Sequence, residues 1–96
     1  MPKQTKRWIN AASTDLFNTI LKLKTSKEAQ NFFRDLLTEA EIREFSNRWK
    51  VAQMLNNKIP FTQIEEQTGM SPNTIARINR WLKKGQGGYR LMLKRK

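Results

Sequence analysis

The sequence contains no cysteine and no histidine. Without these side chains the chain cannot build a disulfide framework, a zinc finger, a thiol nucleophile or a histidine general base. Enzymatic chemistry would have to rest on carboxylates and lysines, and no spacing in the sequence unites them. We therefore expect a protein that is not an enzyme and that needs no metal or cofactor.

Long apolar runs are missing as well. No stretch approaches the roughly 20 apolar residues that cross a bilayer. The start, MPKQTKRWIN, lacks the apolar run of a secretory signal. These absences favour a cytoplasmic protein with no membrane partner.

Acidic residues are absent from both ends of the chain. The sequence holds 19 Lys and Arg against 8 Asp and Glu, which gives a net charge of +11. Acidic and basic residues balance in the central residues 13–70, so their net charge is zero. All charged residues in 1–12 and 71–96 are basic. Such an excess indicates a polyanionic partner, a class that includes double-stranded DNA.

Only 38% of the 96 residues are apolar, so one copy can bury only a small core. Apolar residues recur at spacings of three and four, and strand-like alternation never lasts. These patterns predict an all-α protein of five to six helices. Its small core favours a homodimer.

Capping signals divide the chain. Ser13 is expected to cap the first helix and Ser26 to open the second. Thr38 and Glu41 form a capping box before a long helix that ends near Asn56. The predicted organisation is a basic arm in residues 1–12, a helical DNA-binding domain in 13–84 with a helix-turn-helix in 61–84, and a Gly-rich turn with a basic segment in 85–96.

The segment FTQIEEQTGMSPNTIARINRWL has the parts of a DNA-reading helix-turn-helix. Gly69 supplies the positive φ of the turn, Ser71 caps the second helix, and Gly85 offers it a left-handed stop. Spacing places three isoleucines and one methionine between the two helices, and these predicted packing residues are Ile64, Met70, Ile75 and Ile78. The opposite side of the second helix is polar and basic. The residues expected to contact DNA are Ser71, Pro72, Asn73, Thr74, Arg77, Arg80, Lys83, Lys84 and Lys58.

Different DNA roles are expected within this set. Asn73 can pair with an adenine edge, and Arg77 or Arg80 with guanine. The other cations are better placed for phosphates. Alone, such a helix would be an ordinary solvated surface helix. Three features together favour DNA binding: the capped start of the helix, the glycine turn before it, and the excess of basic over acidic residues in residues 71–96.

Arg48 lies inside the apolar stripe of the long helix, between Ala52 and Leu55 on a helical projection. A guanidinium there must form an ion pair, extend its head to solvent, or line a pocket. We expect five aromatic residues at helical spacings to lie in the core or a dimer interface: Phe17, Phe32, Phe33, Phe45 and Trp49. Trp8 and Tyr89 lie in the basic ends, where they could pack on a partner subunit or help an arm contact the minor groove.

The segment LTEAEIREFSNRWKVAQML, with TIARINRWL after it, resembles the Trp-repressor family, and the added GGYR is similar to its YerC/YecD-type branch. The resemblance implies an intertwined homodimer whose N-terminal helices build the core and whose two reading helices enter successive major grooves. It also implies a transcriptional regulator and favours a repressor, while the choice between repression and activation stays open. A non-regulatory nucleic-acid scaffold or packaging module with the same motif is the alternative.

The same resemblance implies a candidate effector pocket formed by Thr38, Arg48 and Arg77. However, Ile78 and Trp81 stand where the tryptophan-sensing repressor has a glycine and a serine. Their bulk would occupy the space that tryptophan needs, so we expect no tryptophan response. A small-molecule effector of another kind stays open. So does the choice between ligand and DNA for Arg77.

Overall fold

The computed structural model describes residues 7–96, which form six α-helices and contain no strand. The helices are α1 (Ala11–Ile20), α2 (Ser26–Leu36), α3 (Glu39–Asn56), α4 (Phe61–Thr68), α5 (Pro72–Lys84) and α6 (Gly88–Arg95). The prediction of an all-α protein with five to six helices is confirmed. Within these 90 or so residues, no helix combines the length and apolarity that a membrane span requires.

The chain divides into two compact units at residues 38 and 39. In the described part of the first unit, residues 7–38, α1 and α2 contain no fully buried side chain. Their starts are fixed by local hydrogen bonds instead. Thr25 caps α2 by accepting a hydrogen bond from the backbone N–H of Glu28 at 3.0 Å.

The first helix begins earlier than the sequence predicts. Its N-cap is Asn10, whose side chain accepts a hydrogen bond from the Ser13 N–H at 2.9 Å. Ser13 is the reciprocal partner: its hydroxyl oxygen accepts from the Asn10 N–H at 2.9 Å. The prediction that Ser13 is the cap was wrong because both residues can cap, and the box is completed only when Asn10 does so.

The second unit, residues 39–96, has its own core. Side chains from α3, α4 and α5 meet there with no solvent exposure, and Met70 packs against them. The fully buried residues are Val51, Ala52, Ile64, Ile75 and Ile78. The helix-turn-helix is therefore braced from behind by the long helix α3. The predicted packing of Ile64, Met70, Ile75 and Ile78 is confirmed.

Helix α6 packs against α3 and α5. The left-handed residue before it is Gly87, at φ 88°, rather than Gly85, which is extended at φ −82° and ψ −150°. The expected left-handed stop at Gly85 was therefore wrong. Glycine is still required there, because a Cβ would collide with the carbonyl oxygen of Trp81. Beyond the turn, the Tyr89 ring stacks on Trp49 with centroids 6.3 Å apart.

Candidate nucleic-acid interface

The turn between α4 and α5 is built from short-range hydrogen bonds. Gly69 ends α4 at φ 74°, and its N–H donates to the Glu65 carbonyl oxygen at 2.8 Å. The Thr68 hydroxyl donates to the Ile64 carbonyl oxygen at 2.7 Å and accepts from the Met70 N–H at 3.2 Å. The positive φ predicted for Gly69 is confirmed. These bonds fix the angle at which α5 leaves the turn.

Helix α5 starts where the sequence predicts. Ser71 is its N-cap, and the serine hydroxyl accepts a hydrogen bond from the Thr74 N–H at 3.2 Å. Pro72 is its first residue, where a missing N–H leaves no helical bond unmade. Ser71 and Pro72 therefore have structural roles in addition to the DNA contacts predicted for them.

The two faces of α5 differ sharply. Ile75 and Ile78 are completely buried against α3 and α4. The opposite face is exposed, and it holds no acidic side chain. The exposed polar and basic residues of α5 are Asn73, Arg77, Arg80, Lys83 and Lys84, and Thr74 is half-buried. Polar hydrogen-bonding groups and positive charge on one exposed helix face are what major-groove contact requires.

Lys58 lies in the connection between α3 and α4 and is exposed, as a phosphate contact would require. Its backbone is left-handed, with φ 64°. The sequence indicated a turn at this point but gave no sign that a lysine would adopt the conformation that glycine favours.

The three residues of the candidate effector pocket lie in different units. Thr38 ends the first unit and immediately precedes α3, whereas Arg48 and Arg77 belong to the second unit. Arg77 is exposed on α5. Arg48 Nη2 lies 2.7 Å from Glu44 Oε2, and the side chain is 40% exposed. The ion-pair interpretation of Arg48 is therefore observed, and the pocket stays a prediction.

Arg48 also has aromatic neighbours. Its guanidinium lies 5.8 Å from the centroid of the Phe45 ring. Burial raises the pKa of the Tyr89 hydroxyl above its ordinary value, and the positive charge of Arg48 partly offsets that rise. An open, mostly apolar cavity of about 670 Å³ lies between α3, α5 and α6. Its lining includes Trp49, Trp81, Tyr89 and Met92.

Sequence reasoning missed the contact between α6 and the end of the reading helix. Arg90 Nε donates to the Leu82 carbonyl oxygen at 3.1 Å, and its Nη2 donates to the Lys83 carbonyl oxygen. The helical spacing of Tyr89, Met92 and Leu93 could have identified α6 as an amphipathic helix. No local signal shows where Arg90 lies.

Comparison with known proteins gives the same assignment throughout. The family model described as Trp repressor protein matches residues 12–96. The uncharacterized protein YerC of Bacillus subtilis is 42% identical over 80 residues, which cover 83% of this chain and 77% of YerC. A TrpR-like protein from Eubacterium eligens superposes with a TM-score of 0.88 at 40% identity, over 93% of this chain and 92% of that one. A candidate Trp repressor from Staphylococcus aureus gives a TM-score of 0.87 at 36% identity, over 98% and 94% of the two chains. The chain belongs to the Trp repressor family.

Proposed function

We propose that this protein is a sequence-specific, DNA-binding transcriptional regulator that acts as a repressor in the cytoplasm. Helix α5 enters the major groove, and α4 lies across the DNA backbone. The observation that carries the proposal is the two-faced α5: Ile75 and Ile78 are buried in the core while its polar and basic face is open to a partner. Family membership supports the same function.

Within this interface the side chains divide between base reading and positioning. Asn73, Arg77 and Arg80 have the hydrogen-bonding groups that read adenine and guanine edges. Phosphates are contacted by three lysines: Lys83 and Lys84 in the last turn of α5, and Lys58 before α4. The first group provides specificity, and the second provides affinity and register.

The protein acts on DNA as a homodimer in this proposal. The single chain leaves large apolar side chains on its surface, among them Leu21 at 81% exposure and Phe45 at 50%. The long helix α3 buries Val51 and Ala52 in its second half, whereas Phe45, in its first half, remains half exposed. A second copy would cover such surfaces, and two reading helices would then match a palindromic site.

Tryptophan is not expected to control this binding. Ile78 is a core residue with no exposure, so the side chain that replaces the family's small glycine fills space that a ligand would need. Thr38, Arg48 and Arg77 stay a candidate pocket for a different effector. DNA affinity should be the same with and without L-tryptophan.

The proposal is tested by selecting bound sequences from a random pool of duplexes and then comparing variants on the selected site and on random DNA. Asn73→Ala should weaken binding to the selected site by about 1 to 3 kcal/mol and change random-duplex binding little. Lys84→Ala should weaken both alike and lower the log-log salt slope by about one unit per copy.

Lys22→Ala is the control, because Lys22 is an exposed cation of the first unit and lies outside the helix-turn-helix. It should leave both affinities near those of the parent protein. If the pool yields no preferred sequence, and Asn73→Ala and Lys84→Ala behave identically, the basic residues of 71–96 bind DNA of any sequence through its charge alone. The scaffold or packaging function would then replace the regulator.

A further inference from the structure

A second cavity in residues 39–96, of about 530 Å³, lies where the end of α3, the start of α4, the end of α5 and the start of α6 come together. Lys58, Lys83 and Arg90 line it, together with the amides of Asn56 and Asn79 and several apolar side chains. None of its lining residues is acidic. Three cations and two amides around one cavity favour an anion.

The backbone of Lys58 gives independent support for a role of its side chain. Lys58 N–H donates to the Leu55 carbonyl oxygen at 3.0 Å, and Ile59 N–H donates to the Met54 carbonyl oxygen at 3.0 Å. These two bonds end α3 with a Schellman motif, whose left-handed position is usually glycine. A lysine there is strained, because in a left-handed backbone its Cβ comes too close to the following carbonyl oxygen. An outlier of this kind points to a function for the charged side chain.

The position of Arg90 is fixed by the reading helix. Its Nε and Nη2 donate to the Leu82 and Lys83 carbonyl oxygens, which have no partner within α5 because the helix ends there. A guanidinium has five N–H donors, so about three remain for a ligand. The two contacts hold the charge of α6 beside Lys83 at the cavity wall. Like charges held together in this way are stabilised when an anion binds between them.

We propose that Lys58, Lys83 and Arg90 form a binding site for one phosphate group, supplied by the DNA backbone when α5 occupies the groove. Phosphate fits the cluster because it accepts several charge-assisted hydrogen bonds at once. The site adds α6, which lies outside the helix-turn-helix, to the DNA contact. The assignment of the phosphate to DNA rests on the proposed function, whereas the anion chemistry of the cavity does not. A phosphate ester of a small molecule has the same chemistry and is the other source to be tested.

The decisive variant is Lys58→Gly, because it removes the charge and relieves the strained backbone together. Its melting temperature should equal or exceed that of the parent protein, since glycine adopts the left-handed conformation readily. In a plot of the logarithm of the DNA-binding constant against the logarithm of salt concentration, its slope should be smaller than that of the parent protein by about one unit per copy. The affinity difference between parent and variant should therefore become about 3.5-fold smaller per copy when the salt is raised from 50 to 200 mM.

Arg90→Gln should also lower the slope, but its effect should not add to that of Lys58→Gly, because both side chains bind the same phosphate. Arg95→Gln is the matched control. Arg95 is an exposed cation on the same helix and is not among the residues that line the cavity. It should leave the slope within a few tenths of the parent value. Should Lys58→Gly and Arg90→Gln leave the slope unchanged too, the DNA backbone is not the source of the phosphate.

A second measurement follows inorganic phosphate alone, by calorimetric titration of the full chain at constant ionic strength with chloride as the competing anion. Saturable phosphate binding that both variants abolish, with an unchanged DNA slope, would assign the site to a small phosphate ester. If neither DNA slope nor phosphate binding responds, the phosphate site is overturned. If the parent protein binds no DNA at all, the proposed function fails, and the phosphate titration alone decides the cavity.

Discussion

In residues 7–38, neither α1 nor α2 holds a buried side chain, whereas α3, α4 and α5 bury five apolar residues completely. The first unit depends on local devices. The Asn10–Ser13 capping box begins α1, and the Glu28 carboxylate accepts a hydrogen bond from the Lys24 N–H at 2.9 Å ahead of α2. Capping bonds of this kind stabilise a helix by about 1 kcal/mol each, which is too little to hold helices of 10 or 11 residues alone.

The second unit contains a core that a single copy can complete, while the first unit displays apolar side chains. The proposed function gives the two units different tasks. In it, residues 39–96 position the DNA-reading face, and the exposed apolar side chains of residues 7–38 contact another subunit. Each unit should therefore be sensitive to a different kind of substitution.

The largest effect is expected for Ile78→Ala in the core of the second unit. Ile78 is fully buried between α3, α4 and α5, so its truncation should leave a cavity and cost about 2 to 5 kcal/mol. Denaturant unfolding at a fixed protein concentration measures the loss. Arg80→Ala, exposed on the same helix, is the control and should change stability by less than about 0.5 kcal/mol. A loss of stability for Ile78→Ala no greater than that of the control would show that residues 39–96 have no independent core.

A smaller effect, which depends on protein concentration, is expected from the first unit. Phe17 and Leu36 are each nearly half exposed in the single chain. Burial of such side chains at a subunit interface contributes about 1.5 to 3 kcal/mol apiece. The double variant Phe17→Ala with Leu36→Ala should therefore raise the dimer dissociation constant at least about tenfold, as measured by sedimentation across a dilution series.

Gln30→Ala, at an exposed polar position of α2, should leave the dissociation constant unchanged. If the parent protein sediments as a monomer at every concentration, the division of tasks between the two units is wrong. A palindromic DNA site would then not be expected either, because it requires two reading helices.

The parts of the fold that could be predicted are those with local causes. Ser71 and Pro72 define the start of α5 because a cap and a proline act within one turn of helix. Gly69 was predictable for the same reason. Where two residues compete for one role, the local signal failed: Asn10 and Ser13 can both cap α1, and GQGG offers three glycines for one left-handed position.

The candidate site divides in the same way. The exposed face of α5 follows from helical periodicity, so its orientation away from Ile75 and Ile78 was predictable. The contact of Arg90 with the end of α5 was not, because it spans seven and eight residues across a turn whose direction depends on Tyr89 packing against Trp49. Lys58 was placed in a turn, but its left-handed backbone depends on the exact residue at which α3 ends.

The smallest expected effect is the pH dependence of stability that comes from the Tyr89 hydroxyl. It tests whether this aromatic residue of the second unit is buried, unlike Trp8 of the first unit. Trp8 in the first unit is 53% exposed, although its ring lies 6.4 Å from Phe17. Tyr89, by contrast, is half-buried and stacks on Trp49. Burial raises its pKa above the ordinary value of 10.0 because the phenolate loses hydration, and the nearby Arg48 charge only partly restores it.

The neutral phenol is therefore favoured in the folded chain, and the linkage has a definite sign. Stability should not depend on Tyr89 below pH 10.0, where the hydroxyl is protonated in both states, and should fall as pH rises from there through the folded pKa. Tyr89 is the one tyrosine of the sequence, so phenolate absorbance follows it directly. Its midpoint in the native protein should lie above the midpoint in denaturant. Tyr89→Phe keeps the stacked ring but has no proton to lose, so its stability should decline less above pH 10.0 than that of the parent protein. If the titration midpoint of Tyr89 in the native protein is at or below its midpoint in denaturant, the hydroxyl is exposed to water. Tyr89 would then be no better buried than the exposed aromatic residues of the first unit.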